Sequence, residues 1–315
     1  MAKIQARNVD DVLYQRIEAS AMRNERSIEG EVRTALRDYY QPAVEVVPAL
    51  TKRESWQQQT GQRLQWLFDR LKADGLLDKW KSDKPADTTD IVRVARMIDN
   101  SPGKLMDYLD GLDDVSAELT DKLSTHFGVS SDWLLTGEGS PFAVIRLGSR
   151  GFTEFFLPPE GGNFTFELIR IRKGRHEGTL IILRTCTDTG HTEVGVVTEA
   201  FYLGSGMGSG GYGNLKHFLK FLKSRGAHLT LNTYEFTPPD PDFDFWSVIG
   251  HHHAVWYQDA RLRSTTRWLQ QVFNGEDPGG WFSSGWAPLL KEIGDMPFGQ
   301  DENKSQPAHD VREGD

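Results

Sequence analysis

Apolar and polar positions follow three successive rhythms along this chain. Lys3-Ile4-Gln5-Ala6-Arg7 repeats with a period of two, which puts Lys3, Gln5 and Arg7 on one face of a short strand and Ile4 and Ala6 on the other. After turn and helix-start residues at Asn8 to Asp11 the period lengthens, and Leu13, Ile17 and Ala21 recur at four-residue steps along one helical stripe. The polar turn Arg23-Asn24-Glu25-Arg26 leads to Ser27, a good N-cap for a second helix over 27–40 with Ile28, Val32, Ala35, Leu36 and Tyr39 on its apolar face. Pro42 ends that helix, and residues 41–50, with two prolines and no helical period, read as linker. Helical rhythm returns over 56–140. From about residue 144 the texture changes to alternating β-branched and aromatic positions with frequent Gly and Pro.

Forty residues bury too little apolar surface to stand alone, so a strand and two short helices predict a partner copy. Two such strands side by side make a ribbon that fits the major groove. On these residues the segment resembles the ribbon-helix-helix family, in particular its antitoxin-like branch, with the turn Arg23 to Ser27 and Ile28-Glu29-Gly30 opening the second helix. The resemblance implies base contacts from Lys3, Gln5 and Arg7. It also implies phosphate contacts at the second helix start from Arg26, Ser27 and Ile28. The bland alternative is a dimerisation cap. Seven basic and seven acidic residues in 1–40 mean that any positive face must be concentrated on the strand.

The second rhythm predicts a helix through Leu64, Leu67, Phe68 and Leu71, closing near Gly75, and another through Ile91, Val94, Ala95 and Ile98. Asp99-Asn100-Ser101 leads into Pro102 as the first residue of a helix with Leu105, Tyr108 and Leu109 inward, followed by Gly111. A fourth helix carries Leu119, Leu123 and Phe127. The string from Gly128 through Ser130, Asp132, Trp133 and Leu134 to Gly139 closely resembles the closing helix of helix-turn-helix domains of the Cro and phage-repressor class, with Val94, Ala95, Ser101, Tyr108 and Gly111 on framework positions. Several positions depart from that pattern. Asp99 replaces the sharp-turn glycine, Ile91 stands where a phosphate-binding glutamine is usual, and the base-reaching positions hold Pro102, Gly103, Lys104 and Asp107. Residues 60–142 carry 15 acidic and 10 basic side chains, so DNA binding here competes with a purely structural or dimerising role. Arg93, Arg96, Ser101 and Lys104 are the candidate second DNA site.

The third rhythm predicts strands at 164–172, 179–187, 193–203 and 228–236, a hairpin at Asp188 to Gly190, and helices at 214–224 and 260–273. Four chemical candidates arise. Gly206, Gly208 and Gly211 spell a G-x-G-x-x-G before a helix, with Glu235 ending the next strand. The preceding strand, however, reads as half of an antiparallel hairpin, which favours a flexible loop over a dinucleotide site. Lys216, Lys220 and Lys223 form a basic stripe, more simply a solvated face. His251, His252 and His253 are adjacent, so on a strand they diverge, and packing is favoured over a metal. A Ser-Lys peptidase arrangement is not found around Ser283 and Ser284. Aromatic density from Phe243 to Trp286 suits a ligand or protein interface.

Composition narrows the class. A net charge of −9 argues against a globally basic nucleic-acid coat, while one cysteine, Cys186, excludes a disulfide scaffold and suits a reducing cytoplasm. No apolar run reaches the roughly 18–20 residues of a membrane span. The expectation is a multidomain chain with no catalytic site, cofactor or metal. It comprises a ribbon-helix-helix at 1–42, a linker at 43–55, an all-α helix-turn-helix at 56–142, an α+β sensor or assembly domain at 144–299 and a disordered acidic tail at 300–315. Its partners are double-stranded DNA, a homodimer or higher homo-oligomer, and an effector or protein at the C-terminal domain. The expected function is a transcription regulator reading a palindromic operator, by default a repressor. The alternative is an autoregulating antitoxin that neutralises a partner protein through its C-terminal region.

Overall fold

Asp10 accepts a hydrogen bond from the Leu13 amide at 3.1 Å and thereby caps α1 (Asp11–Arg23). The chain turns through Glu25, held left-handed at φ 51°, into α2 (Ile28–Tyr40), where Ser27 Oγ accepts from the Gly30 amide at 3.1 Å. Both helices lie where the apolar period puts them. The computed structural model of the chain describes residues 4–40, 49–77, 84–149, 151–197, 199–240, 242–283 and 285–299. The expected tail at 300–315 and residues 43–48 of the expected linker lie outside the described residues. The chain divides into two units, Met1–Leu50 and Thr51–Asp315.

Within the first unit the expected strand is not a strand in one chain. Residues 4–7 have no ladder partner among the described residues, and a segment becomes β-structure only when a second segment supplies the hydrogen bonds.

The second unit opens earlier than expected, since Lys52 to Ser55 are already helical. Thr51 and Glu54 form a reciprocal capping box that starts α3 (Lys52–Ala73). Then come α4 (Thr88–Met97), α5 (Pro102–Leu109), α6 (Ala117–Phe127) and α7 (Ser131–Thr136). Leu64, Leu67, Phe68, Val94, Leu105, Leu123 and Phe127 are wholly buried between them. Helix α3 approaches the end of α5 so closely that a Cβ on Gly61 would sit 2.5 Å from the Leu109 carbonyl oxygen. Lys72 and Asp90 form a buried ion pair at 2.6 Å across the bundle.

The same unit continues as a mixed six-stranded sheet of β1 (Val144–Arg146), β2 (Phe164–Ile171), β3 (Leu180–Cys186), β4 (Thr192–Val197), β5 (Thr230–Phe236) and β6 (Arg263–Thr265), in the order β1-β4-β3-β2-β5-β6. Strands β2, β3 and β4 are antiparallel neighbours, whereas β5 runs parallel to β2 and β1 parallel to β4. The β3–β4 hairpin closes over Asp188 to Gly190 as its turn chemistry predicts, with Gly190 at φ 73°. Even-numbered Phe166, Leu168 and Ile182 bury on one face, and odd-numbered Ile169, Ile171 and Ile181 on the other. The even face lies under α8 (Phe152–Phe156), α9 (Ser209–Lys223), α11 (Trp268–Phe273) and α12 (Ala287–Asp295). The odd face is covered by α10 (Phe245–Val248) and a 3-10 turn at Ala254–Gln258.

Three expectations need correction. The helix expected over 260–273 is only α11, because Arg263 to Thr265 pairs with Tyr234 to Phe236 and the ladder prevails over local helical pattern. The strand expected to reach 203 stops at Val197, and Phe201 and Leu203 bury from a loop instead. Helix α9 starts at Ser209, not 214, and takes in three glycines. The preceding β4 is indeed half of an antiparallel hairpin, yet it points the same way as β5, so β4–α9–β5 is a crossover between strands of common direction.

Asp74, at the end of α3 and 1% exposed, joins the helices to the sheet. One carboxylate oxygen lies 2.6 Å from His252 Nδ1, and the other accepts the His253 amide at 2.7 Å. His253 Nδ1 accepts from the Val255 amide at 3.2 Å, and burial pushes its imidazole down to about 4.

Two outcomes follow. Gly61→Ala, which in an ordinary helix gains up to ~1 kcal/mol, is expected here to lose about 1–3 kcal/mol in urea unfolding, because the methyl meets backbone. For His253 the unfolded chain binds its proton first. Its contribution to stability is therefore complete above pH 6.5 and lost as pH falls toward 4, by up to about 3 kcal/mol. His253→Asn, which keeps an acceptor for Val255, is expected to flatten that limb of the stability–pH curve.

Candidate nucleic-acid interface

The first unit is built around one polar cluster. Glu31 projects from α2 toward α1, where Ser20 Oγ donates to it at 2.7 Å and Asn24 Nδ2 at 2.8 Å, while the Arg26 guanidinium lies 3.8 Å from its second oxygen. The Ser20 hydrogen bond, reinforced by Asn24 and Arg26, holds the Glu31 carboxyl below its ordinary value, against the opposing effect of burial. These contacts set α2 against α1 and fix where its first turn points. Ser27 completes that turn by capping Gly30, and Gly30 in turn lets the cap close, its Cβ position lying 3.1 Å from Ser27 Oγ.

The sequence-predicted residues fall unevenly on this frame. Lys3 lies outside the described residues. Gln5 and Arg7 are exposed on the extended lead-in to α1. Arg26 is half exposed, but its guanidinium also donates to Thr34 Oγ1 at 3.2 Å, so part of its hydrogen-bonding capacity is spent inside the unit. Ser27 is the cap itself, and Ile28 is the half-buried first residue of α2. Structure thus brings Arg26, Ser27 and Ile28 together at one helix end, with Glu31 as the organising group that the sequence pattern does not single out.

Apolar exposure is the other feature of this unit. Ile4 is 84% exposed, Tyr39 80%, and Val12, Leu13, Tyr14 and Leu36 are also open, while Ala21 is the one buried hydrophobic residue described in the unit. A helix pair with an uncovered stripe of this kind needs a further surface to pack on.

In the second unit the candidate residues sit on the α4–turn–α5 pair. Asp99 adopts φ 48°, the left-handed conformation that a glycine takes at such a turn. Arg93, Arg96, Ser101 and Lys104 are all exposed, and the Ser101 side chain stands at the N-cap of α5 without making a capping bond. Arg93 leans on Asp90 at 3.4 Å. Exposed Asp107 shares α5 with Lys104, so the face is electrically mixed.

The other chemical candidates take structural parts. Lys216 and Lys220 each reach Glu292 at 2.8 Å, and Lys223 is buried and donates to the carbonyls of Phe273, Ile293 and Gly294. The lysine stripe is therefore not a solvated face. His252 stacks on Trp256 at 4.1 Å, and His253 packs edge-on against Phe142. Among the described residues no helix is long and apolar enough to cross a membrane.

Residues 2–40 match the family model described as antitoxin FitA-like, ribbon-helix-helix. Neither a curated protein nor a solved structure matches the chain. Residues 2–40 are thus similar to an antitoxin-like ribbon-helix-helix domain, a class that typically binds DNA as dimers.

Removing the organising carboxylate is expected to free α2 from α1. In Glu31→Ala, amide hydrogen exchange between Arg26 and Val32 should quicken, while Glu31→Gln should retain part of the protection through Ser20. Because the native carboxyl is held low, its stabilisation is present above pH 4.5 and fades as the pH drops below it.

Proposed function

We propose that the protein is a sequence-specific regulator of transcription that binds double-stranded DNA as a dimer. The observation that carries this reading is the uncovered apolar face of a unit that matches the ribbon-helix-helix family over residues 2–40. A second copy supplies what one chain lacks: a partner for the extended lead-in at Ile4 to Arg7 and a surface for Leu13, Tyr14 and Leu36. Pairing two leads side by side makes a ribbon whose outward side chains, Lys3, Gln5 and Arg7, reach base edges in the major groove. The amides at the start of α2, with Arg26 and Ser27 beside them, then clamp a phosphate and set the register. Two-fold symmetry of the protein requires a palindromic site, and binding over a promoter represses it without further machinery.

The α4–turn–α5 pair serves as a second reading head on the same chain. Its left-handed Asp99 and free Ser101 hydroxyl support this role, with Arg93, Arg96 and Lys104 contacting phosphates. Two modules on one chain raise the effective concentration of each at the operator. The antitoxin reading keeps a specific support in the family description itself. On that reading the second unit is the toxin-binding part, and a small partner protein co-purifies with the chain.

Sequences selected from random duplex DNA by the full chain are expected to share a palindrome. Lys3→Ala combined with Arg7→Ala should weaken binding to it by at least about tenfold, in line with ~1–3 kcal/mol per base-reading side chain, with an unchanged thermal midpoint. Unaltered operator affinity in that double variant sinks the ribbon assignment. Arg93→Ala with Lys104→Ala should lower the salt dependence of binding, and an unchanged salt slope removes α4 and α5 from the interface.

A further inference from the structure

A cleft of about 790 Å³ opens in the second unit where the carboxyl ends of β2 and β4 meet the start of α9. Small-molecule sites span roughly 300–1,000 Å³. The topology singles out this place, because β2, β4 and β5 point the same way and α9 crosses between β4 and β5. In open sheets with crossover helices, ligands bind outside the carboxyl ends of such strands.

Three walls define its chemistry. The first is the loop Gly204 to Gly208 and the start of α9, a fifteen-residue helix with no side chain capping it and no acid in its first turn. Gly208 has an ordinary negative φ, and a Cβ there would meet nothing within 4 Å, so neither a turn nor packing demands a glycine. Gly208 and Gly211 both line the cleft, so the start of α9 borders it with no side chain capping the helix. The second wall is the β2–β3 loop. Beside it Arg170 of β2 is already neutralised by Glu177 at 2.9 Å and Glu235 at 3.1 Å, but exposed Arg175 of the loop has no partner among the described residues. The third wall is Trp246, 44% exposed, with the Arg146 guanidinium 5.7 Å from its ring centre. Glu199, the one cleft acid without an ion-pair partner among the described residues, lies between the glycine loop and β4.

We propose that this cleft binds a nucleoside phosphate, with the phosphoryl group between Arg175 and the first amides of α9, a sugar hydroxyl on Glu199, and the planar base against Trp246. A cleft lined by a cation with no partner among the described residues and by an uncapped helix start suits a phosphoryl group. A half-exposed indole and a carboxylate in the same lining suit a base and its sugar. The assignment is independent of the DNA-binding reading, since every group in it lies between residues 170 and 246 and the test reads ligand binding alone.

Calorimetric titration of the full chain with adenosine monophosphate, ribose 5-phosphate and inorganic phosphate tests it. Adenosine monophosphate should bind the most tightly of the three. Arg175→Ala should weaken it by about tenfold or more, equivalent to ~1.4 kcal/mol. Trp246→Ala should weaken the nucleotide while leaving ribose 5-phosphate unchanged. Gly208→Asp is the sharpest variant, because an aspartate at that N-cap satisfies the amides internally. It should keep or raise the thermal midpoint and abolish nucleotide binding, which separates loss of the site from loss of the fold. No binding of adenosine monophosphate at millimolar concentration overturns the proposal, as does binding that Gly208→Asp and Arg175→Ala leave unchanged. Inorganic phosphate bound as tightly as the nucleotide overturns the nucleoside assignment.

Discussion

The central strands of the second unit are apolar on both faces, and most of its architecture follows from that requirement. A sheet with Phe166 and Leu168 on one side and Ile169 and Ile171 on the other must be covered twice. Four helices cover the first side. The second is covered by a short-element loop region around Phe245, Ala254 and Tyr257. That region has a further consequence, because it presents His252 and the His253 amide to Asp74 at the end of α3. A carboxylate at a helix C-terminus faces an unfavourable dipole, so its burial there is tolerable only with both oxygens bonded. Covering the sheet's second face thereby also seats the helical bundle, and residues 51–299 become one unit instead of two independent halves.

The first forty residues obey the opposite logic. Their polar cluster ties one Glu31 oxygen to Ser20 and Asn24, whereas their apolar surface is left open. Hydrogen bonds fix the angle between α1 and α2 without supplying the burial that holds a domain together. Geometry is therefore specified within one chain and stability must come from another surface. This division suits a module whose reading element exists only after pairing, since it couples assembly to recognition.

How much of this was legible in the sequence depends on the physical origin of each element. Helices α1 to α6 announce themselves through period and caps, α7 through the resemblance of residues 128–139, and the Asp99 substitution marks a turn that the backbone indeed makes in the left-handed region. Elements made by tertiary pairing are silent: β1 and β6 have three residues each, and local helical pattern at 260–273 conceals the second of them. The capping box at Thr51 and Glu54 was readable and marks the true end of the linker. Buried polar roles leave no trace in a pattern that treats charge as surface. Lys223 sits one residue after a leucine in a basic stripe, yet it ties down three carbonyls in the interior. The candidate interface was partly legible for the same reason. The alternation at Ile4 to Arg7 is not expressed in one chain, where all four residues are exposed, and the diversion of Arg26 toward Thr34 and Glu31 requires the packed helix pair.

Charge distribution gives the DNA-binding reading a physical rationale that the total obscures. Basic and acidic residues cancel over 1–40, so the whole net charge of −9 belongs to the remainder of the chain. Non-specific affinity for duplex DNA is almost entirely counterion release from phosphates by cations, and an acidic body tethered to the reading module opposes it at every site alike. Base contacts from the ribbon are short-ranged and hydrogen-bonded, so this background repulsion subtracts equally from right and wrong sequences. The ratio between them is unchanged, but the competing pool of non-specific sites binds more weakly. On the proposed reading, an acidic DNA-binding protein therefore gives up absolute affinity and loses less of itself to the rest of the genome. On the same reading, pairing through residues 1–40 restores the affinity, because a dimer doubles the base contacts while keeping each module nearly neutral.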